Sequence, residues 1–375
     1  MILIIKIGRL LLNVLYWFIK LIPTQKKVTM ISRQSNTPSM EFEAIRSKMH
    51  EKYPEVKVVM LCRTLDGGVA STIGNKIKYG FHMLTQMVHI ASSAVVLLDS
   101  YCIAASILNH KKSLTVIQMW HSMGTMKKFG YTALDTEEGT KRELAVAMRM
   151  HHNYDYVFAS AEAYKDHLAK GFHCEIEKIL TMPLPRLDFL KDAEYAEKIR
   201  RKIYRVYPEL QEKPTIVYCP TFRKDEEEFE KALAQLVSAV DQKKYNLVVK
   251  IHPLSKAKVD EQVIRATEFS SFEMLFVADY VISDYSCIIY EAAVRNIPLY
   301  FYNFDMDLYT GNRGLAIDYE NELPGVISGN AAEIVKAIEE GSYDMEELER
   351  FTRKYVHPTE HATEDIADFI RKYID

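Results

Sequence analysis

From residue 28 onward, short β-branched runs alternate with stretches of helical hydrophobic spacing, and this alternation constrains the fold more than any other feature of the chain. Short, uniformly apolar runs mark parallel strands buried on both faces, and the helical stretches between them supply the covers. A first series predicts strands at Val28–Ser32, Val56–Leu61, Ala94–Leu98, Thr115–Met119 and Tyr156–Ala159. A second predicts Thr215–Cys219, Asn246–Ile251, Tyr280–Ile282 and Pro298–Tyr302. Between them, the Lys- and Glu-rich stretch Lys191–Lys213 reads as a helix leading into a linker that ends at Pro214. The expected class is therefore α/β, with two Rossmann-like domains in tandem: residues 28–190, a linker helix over 191–213, and residues 214–375. The length of 375 residues fits two domains of roughly 150 to 190 residues each. A chain-final helix from about Glu360 to Tyr373 is a candidate to cross back to the first domain.

Residues 1–27 differ in composition. Met1 to Ile22 is rich in Ile and Leu, and its polar residues Lys6, Arg9, Asn13 and Lys20 recur at helical spacing, so they fall on one stripe. A spanning helix does not normally carry such a stripe. The pattern predicts a helix lying in a membrane interface, with Tyr16, Trp17 and Phe18 near the headgroup boundary and Lys20, Lys26 and Lys27 facing anionic lipid. The plainer alternative is a helix buried against the protein's own core. No small-residue cleavage site follows, so no signal peptide is expected. A net charge of −3 gives no basis for a nucleic-acid partner. Five widely spaced cysteines without a CxxC pair argue against disulfides and zinc and fit a reducing compartment.

In open α/β sheets ligands bind beyond the carboxyl ends of the strands, so the residues just after each predicted strand are the candidates. After Thr115–Met119 come Trp120, His121, Ser122, Met123, Gly124 and Thr125, then Lys127 and Lys128. Pro220, Thr221, Phe222 and Arg223 follow the strand at Thr215–Cys219. Lys250 and His252, with Pro253 and Leu254 beyond, end the next strand, and Ser283, Asp284, Tyr285 and Ser286 open a helix after Tyr280–Ile282. Free backbone N–H groups and the positive end of that helix favour a bound phosphate near Ser283 and Ser286, although either Ser283 or Asp284 could equally be a simple N-cap. Arg186, Arg223, Lys250 and His252 are placed to bring positive charge to a pyrophosphate. A histidine directly after a strand, followed by Gly and two Lys, suits a general base beside an anionic donor. Two such histidines, His121 and His252, carry more weight than one, because tandem domains would face them across a cleft.

No GxxxxGK[ST] or GxGxxG occurs, so nucleoside triphosphate hydrolysis and nicotinamide chemistry have little support. Asp305-Met306-Asp307 has the form of a metal-binding DxD, but no His or third acid stands at ligand spacing. Contact of Asp305 with a donor hydroxyl is the favoured reading, with no metal and no cofactor.

The chain resembles the CDP-glycerol glycerophosphotransferases of teichoic acid synthesis. The resemblance rests on the segments Trp120–Gly130, Pro183–Asp188, Tyr218–Arg223, Lys250–Pro253 and Ala278–Cys287. Phe304-Asp305 with Tyr309, Arg313-Gly314, and Leu323-Pro324-Gly325 after Asp318-Tyr319 add to it. It covers roughly residues 90 to 370 and is loose before that. Two departures stand out: many members have Trp-His-Gly-Thr-Pro where this chain has Ser122-Met123 before Gly124, and Cys287 replaces a serine common in the family.

The resemblance implies a GT-B-like pair of Rossmann-like domains, monotopic association with the cytoplasmic face of a bacterial membrane, and donor binding mainly in the second domain. It implies His121 as the base that deprotonates the acceptor hydroxyl and His252 as the group that binds the transferring phosphate. Arg186, Thr221, Arg223, Ser283, Ser286 and Asp305 fall at family donor-binding positions. The implied substrates are CDP-glycerol, or CDP-ribitol, and an undecaprenyl-diphosphate-linked saccharide acceptor. A nucleotide-sugar glycosyltransferase on the same fold and a noncatalytic membrane-bound scaffold are the rivals. Short length tilts the expectation towards adding one or a few units.

Overall fold

A computed structural model describes residues 2–64, 72–223, 226–252, 255–312 and 314–374. Pro253, Leu254 and Arg313, cited above, lie outside the described residues.

The chain divides into two compact units along lines that differ from the expected boundaries. Unit 1 is Met1–Ser122, Phe129–Arg186 and Thr359–Asp375; unit 2 is Met123–Lys128 and Leu187–Pro358. Three corrections follow. The last seventeen or so residues leave the expected second domain, the segment 123–128 leaves the first, and the expected linker 191–213 is part of unit 2.

Unit 1 holds a six-stranded sheet in the order β2-β1-β3-β4-β5-β6. The strands are β1 (Gln25–Ser32), β2 (Lys57–Cys62), β3 (Ser93–Leu98), β4 (Thr115–Gln118), β5 (Tyr156–Ala159) and β6 (Ile179–Thr181). All pairs are parallel. Every residue of β3 is buried, as a central strand covered on both faces requires. Helix α2 (Met40–Lys52) starts where the Ser39 side chain accepts from the Phe42 amide, with Glu41 and Glu43 in its first turn. It packs against the C-terminal helix Ala362–Arg371, which buries Ile366, Ala367 and Ile370 in the core that also holds Val28, Val95 and Ile117. Lys52 reaches Glu364 and Asp368 at 2.5 and 2.6 Å.

Unit 2 holds a five-stranded parallel sheet in the order β11-β10-β9-β7-β8. Its strands are β7 (Thr215–Cys219), β8 (Asn246–Val249), β9 (Tyr280–Ser283), β10 (Leu299–Tyr302) and β11 (Ile327–Ser328). In each sheet the first strand has the second on one side and the third on the other, so each has a reversal point, between β1 and β3 and between β7 and β9.

The N-terminal helix α1 (Ile2–Ile19) forms as its periodicity predicts. Its polar stripe is turned to the protein. Arg9 donates to the Ala147 carbonyl at 3.0 Å, Asn13 to that of Ile107 at 3.0 Å, and Lys20 to that of Asn109 at 2.8 Å. Tyr16, expected at a headgroup boundary, is buried, with its hydroxyl 3.0 Å from His110 Nδ1. Lys27 is buried within β1, its Nζ donating to Ser92 Oγ at 2.5 Å; burial first and Lys57 second push its pKa down to about 8. The apolar residues Leu3, Ile4, Ile7, Leu11, Val14, Leu15, Trp17 and Phe18 face outward. Helix α1 packs on α3 (Ile73–Ala91), whose Ile77, Phe81, Leu84 and Val88 are also exposed, and on α5 (Arg142–Ala147). By length and composition α1 is apolar enough to cross a membrane.

Candidate active site

In unit 1 Trp120 and His121 follow β4, Arg186 follows β6 and Asp99 follows β3. Trp120, two residues after β4, lies in the left-handed region, φ +65°, with its amide donating to Gln118 Oε1 at 3.0 Å. A non-glycine residue holds that conformation only where its surroundings impose it, at about 1–3 kcal/mol. The turn sets His121 against the Trp120 ring, with centroids 4.2 Å apart. His121 Nδ1 lies 2.9 Å from the Asp99 carbonyl oxygen, which can only accept, and 3.4 Å from Gln34 Nε2; the much shorter contact assigns the hydrogen to Nδ1 and leaves the lone pair on Nε2. Burial, and next Arg186 against the opposing pull of the Asp99 carbonyl, lower the imidazole pKa below its usual 6.5. A neutral ring with an open Nε2 is what a general base requires.

Arg186 is held by Glu41, Nη2 to Oε1 at 2.5 Å, and Glu41 is itself buried. Asp99 was not among the sequence candidates. It follows β3 at the reversal point, is 3% exposed, and its Oδ1 has no hydrogen-bond partner among the described residues. Desolvation pushes its carboxyl pKa up to about 6, against lowering contacts from Ser32 and Ser100. The signal was available: Leu98-Asp99-Ser100 satisfies the same strand-end rule that picked out His121.

In unit 2 the candidates converge on Arg223. Its Nε and Nη2 donate to the two oxygens of Asp305, both at 2.9 Å, and its Nη1 donates to Asp284 Oδ2 at 2.5 Å and to the Thr221 carbonyl at 2.6 Å. The Thr221 amide donates to Asp284 at 2.9 Å, tying the end of β7 to the end of β9 across the reversal point. Phe304 lies 4.8 Å below the guanidinium, and Tyr285, stacked on Tyr309 at 3.9 Å, donates to Asp305 at 3.2 Å. Burial opposes the Arg223 charge, but Asp284 and Asp305 more than offset it, so the group is held protonated. Removing Arg223 would strand two buried carboxylates, at about 3–5 kcal/mol.

Several expected donor contacts are therefore engaged within the protein. The Asp305 carboxylate holds Arg223. Asp284 and Tyr285 are buried around the same guanidinium. Ser283 is fully buried and its hydroxyl donates to the Cys219 carbonyl at 2.9 Å. Lys250 Nζ donates to the carbonyls of Ala266 and Phe269 at 2.6 and 2.5 Å, and burial lowers its pKa. Among the described residues no group of three or more His, Cys, Asp or Glu could hold a metal.

Other candidates remain at the surface of this cluster. His252 is exposed at its surface side, its ring 5.3 Å from that of Phe222, and partial desolvation followed by the nearby Lys127 lowers its pKa below 6.5. Lys127 Nζ donates to Thr221 Oγ1 at 3.3 Å and lies 5.3 Å over the Tyr309 ring. Ser286 and Thr221 are partly exposed, while Pro220, Gly124 and Thr125 are buried. The segment 123–128 is fixed to unit 2 by Ala316 N–H donating to the Met126 carbonyl, Lys128 N–H to that of Gly314, and the Tyr290 hydroxyl to that of Thr125. Gly314 has φ +79°, and a Cβ there would come 3.1 Å from the Lys128 side chain.

Residues 14–372 match the family described as CDP-glycerol:poly(glycerophosphate) glycerophosphotransferase. The chain belongs to that family. A teichoic acid ribitol-phosphate primase of Bacillus spizizenii is 30% identical over 367 residues, covering 94% of this chain and 93% of its own. A teichoic acid glycerol-phosphate primase of Bacillus subtilis is 26% identical, covering 88% and 87%. The solved wall teichoic acid polymerase TagF is similar in fold, with a TM-score of 0.73 at 22% identity over 94% of this chain and 90% of that one. The glycerophosphotransferase membership makes the chain an enzyme of the teichoic acid polyol-phosphate transferase class.

Proposed function

We propose that the enzyme transfers glycerol phosphate from CDP-glycerol to a hydroxyl of a lipid-linked teichoic acid or capsule precursor, releasing CMP, at the cytoplasmic face of the membrane. The observation that carries this reading is the His121 tautomer fixed by the Asp99 carbonyl, with Nε2 open. In the reaction Nε2 takes the proton of the acceptor hydroxyl while that oxygen attacks the β-phosphorus. The bond from this phosphorus to the bridging oxygen breaks, and CMP leaves with the electron pair. His252, beside Lys127, binds the transferring phosphate, and Ser286 with the helix it precedes contributes backbone N–H groups. Charge neutralisation and positioning supply most of the rate, with the base contributing on the order of 10² to 10⁴-fold. The apolar outer side of α1 supports membrane association.

CDP-ribitol is the second donor to consider, because a ribitol-phosphate primase is 30% identical over nearly the whole chain. Purified enzyme given each donor with a lipid-linked acceptor, read by CMP release and product mass, tests both. The reading expects CMP with a product heavier by one or a few glycerol phosphates. CMP release from CDP-ribitol alone would exchange the donor, and transfer of a sugar from a nucleotide sugar would overturn the reaction class.

A further inference from the structure

The inward stripe of α1 leaves one feature that the transfer reaction does not use. Lys6, Arg9, Leu10 and Asn13 of α1, Asn109 and Arg149 together line a cavity of about 350 Å³. Three of these six residues are cations and none is an acid. Asn109 comes two residues after α4 (Ile103–Ile107), and Arg149 two residues after α5.

The wall is held in place before any ligand arrives. Asn13 Oδ1 accepts from the Asn109 amide at 2.8 Å, and Arg149 Nη1 donates to Asn109 Oδ1 at 3.1 Å. With Arg9 tied to the Ala147 carbonyl through Nη1, each guanidinium keeps further N–H groups for a ligand. The like charges strain one another. Burial and then Arg9 push the Arg149 pKa down, and Arg149 adds to the burial that lowers His110 and His152. An anion would relieve that repulsion, and a phosphate matches the fork geometry of two guanidinium groups. The cavity also borders an apolar surface: its Leu10 is 64% exposed, beside exposed Ile7, Leu11 and Val14.

We propose that this cavity binds the phosphate of a membrane lipid, whose hydrocarbon chain lies along the outer side of α1. The inference rests on the reading of α1 as a membrane-contacting helix. Soluble phosphate esters share the headgroup chemistry but lack the chain.

The test uses the full-length enzyme and sedimentation with vesicles of neutral phosphatidylcholine, or the same with phosphatidylglycerol. A Lys6→Gln/Arg149→Gln variant is compared with Lys112→Gln/Lys243→Gln, a control removing two exposed charges outside the cavity. The wild-type enzyme is expected to prefer the anionic vesicles by about tenfold or more. The cavity variant should lose most of that preference while keeping its thermal midpoint and its binding to neutral vesicles. Equal losses in the two variants, or vesicle binding indifferent to lipid charge, would overturn the cavity assignment and leave the α1 reading intact. Binding to neither vesicle would overturn both. Displacement from anionic vesicles by millimolar sn-glycerol 3-phosphate would reassign the cavity to a soluble phosphate ester.

Discussion

Asp99 does two separate things with two separate groups. Its backbone carbonyl orients His121, and its carboxylate sits buried with one oxygen unpartnered among the described residues. Asp99→Asn keeps the first and removes the second. The folded pKa, raised from 3.8 to about 6, means that the carboxyl's contribution to stability is fully present below pH 3.8 and lost as pH rises through 6. That loss amounts to about 3 kcal/mol at 1.36 kcal/mol per unit. Asp99→Asn should therefore raise the thermal midpoint relative to wild type above pH 6, with an advantage that shrinks towards pH 4. A midpoint difference independent of pH, in paired calorimetric scans, would refute the assignment. Residue types at strand ends were legible because the rule for open sheets locates them along the chain. What was not legible was their direction. Ser283, Lys250 and Asp305 stand where a donor-binding residue would stand, yet each is engaged by a carbonyl or a guanidinium from a distant segment.

At the scale of elements, most strands could be read to within one to three residues because buried parallel strands are continuous apolar runs. The exceptions, β6 and β11, have three and two residues at sheet edges, too few to show a pattern. Helix α1 shows a different limit. Spacing reveals which residues share a face but not which face meets the protein, and the carbonyls of Ile107, Asn109 and Ala147 that decide it come from elsewhere in the chain. Neighbouring aromatic residues separate the two faces. Tyr16→Ala removes a 1% exposed ring and should lower stability by about 3–5 kcal/mol, with little direct loss of a membrane contact. Trp17→Ala removes a 59% exposed ring and should leave the thermal midpoint nearly unchanged while weakening vesicle binding. Reversal of these two effects would put the helix the other way round.

For the whole molecule, the family and the tandem α/β plan were legible because ordered motifs lie at the ends of strands that themselves stand out. The partition into units was not. The C-terminal helix joins unit 1 through Ile366, Ile370 and the Lys52 ion pairs, contacts made across more than three hundred residues of sequence. The segment 123–128 joins unit 2 immediately after Ser122, and its Lys127 donates to Thr221 within that unit. The account turns on His121 acting as the proposed base. Single-turnover CMP release beside calorimetric titration of the donor, for wild type and His121→Ala, tests it most directly. The account predicts a rate lower by about 10² to 10⁴-fold with donor affinity within a few-fold, because the base acts on the acceptor. Because the folded His121 pKa lies below 6.5, the wild-type acid limb assigned to it should also fall below pH 6.5 and be absent from the variant's residual activity. Near-normal turnover in His121→Ala, or an unchanged acid limb, would contradict it.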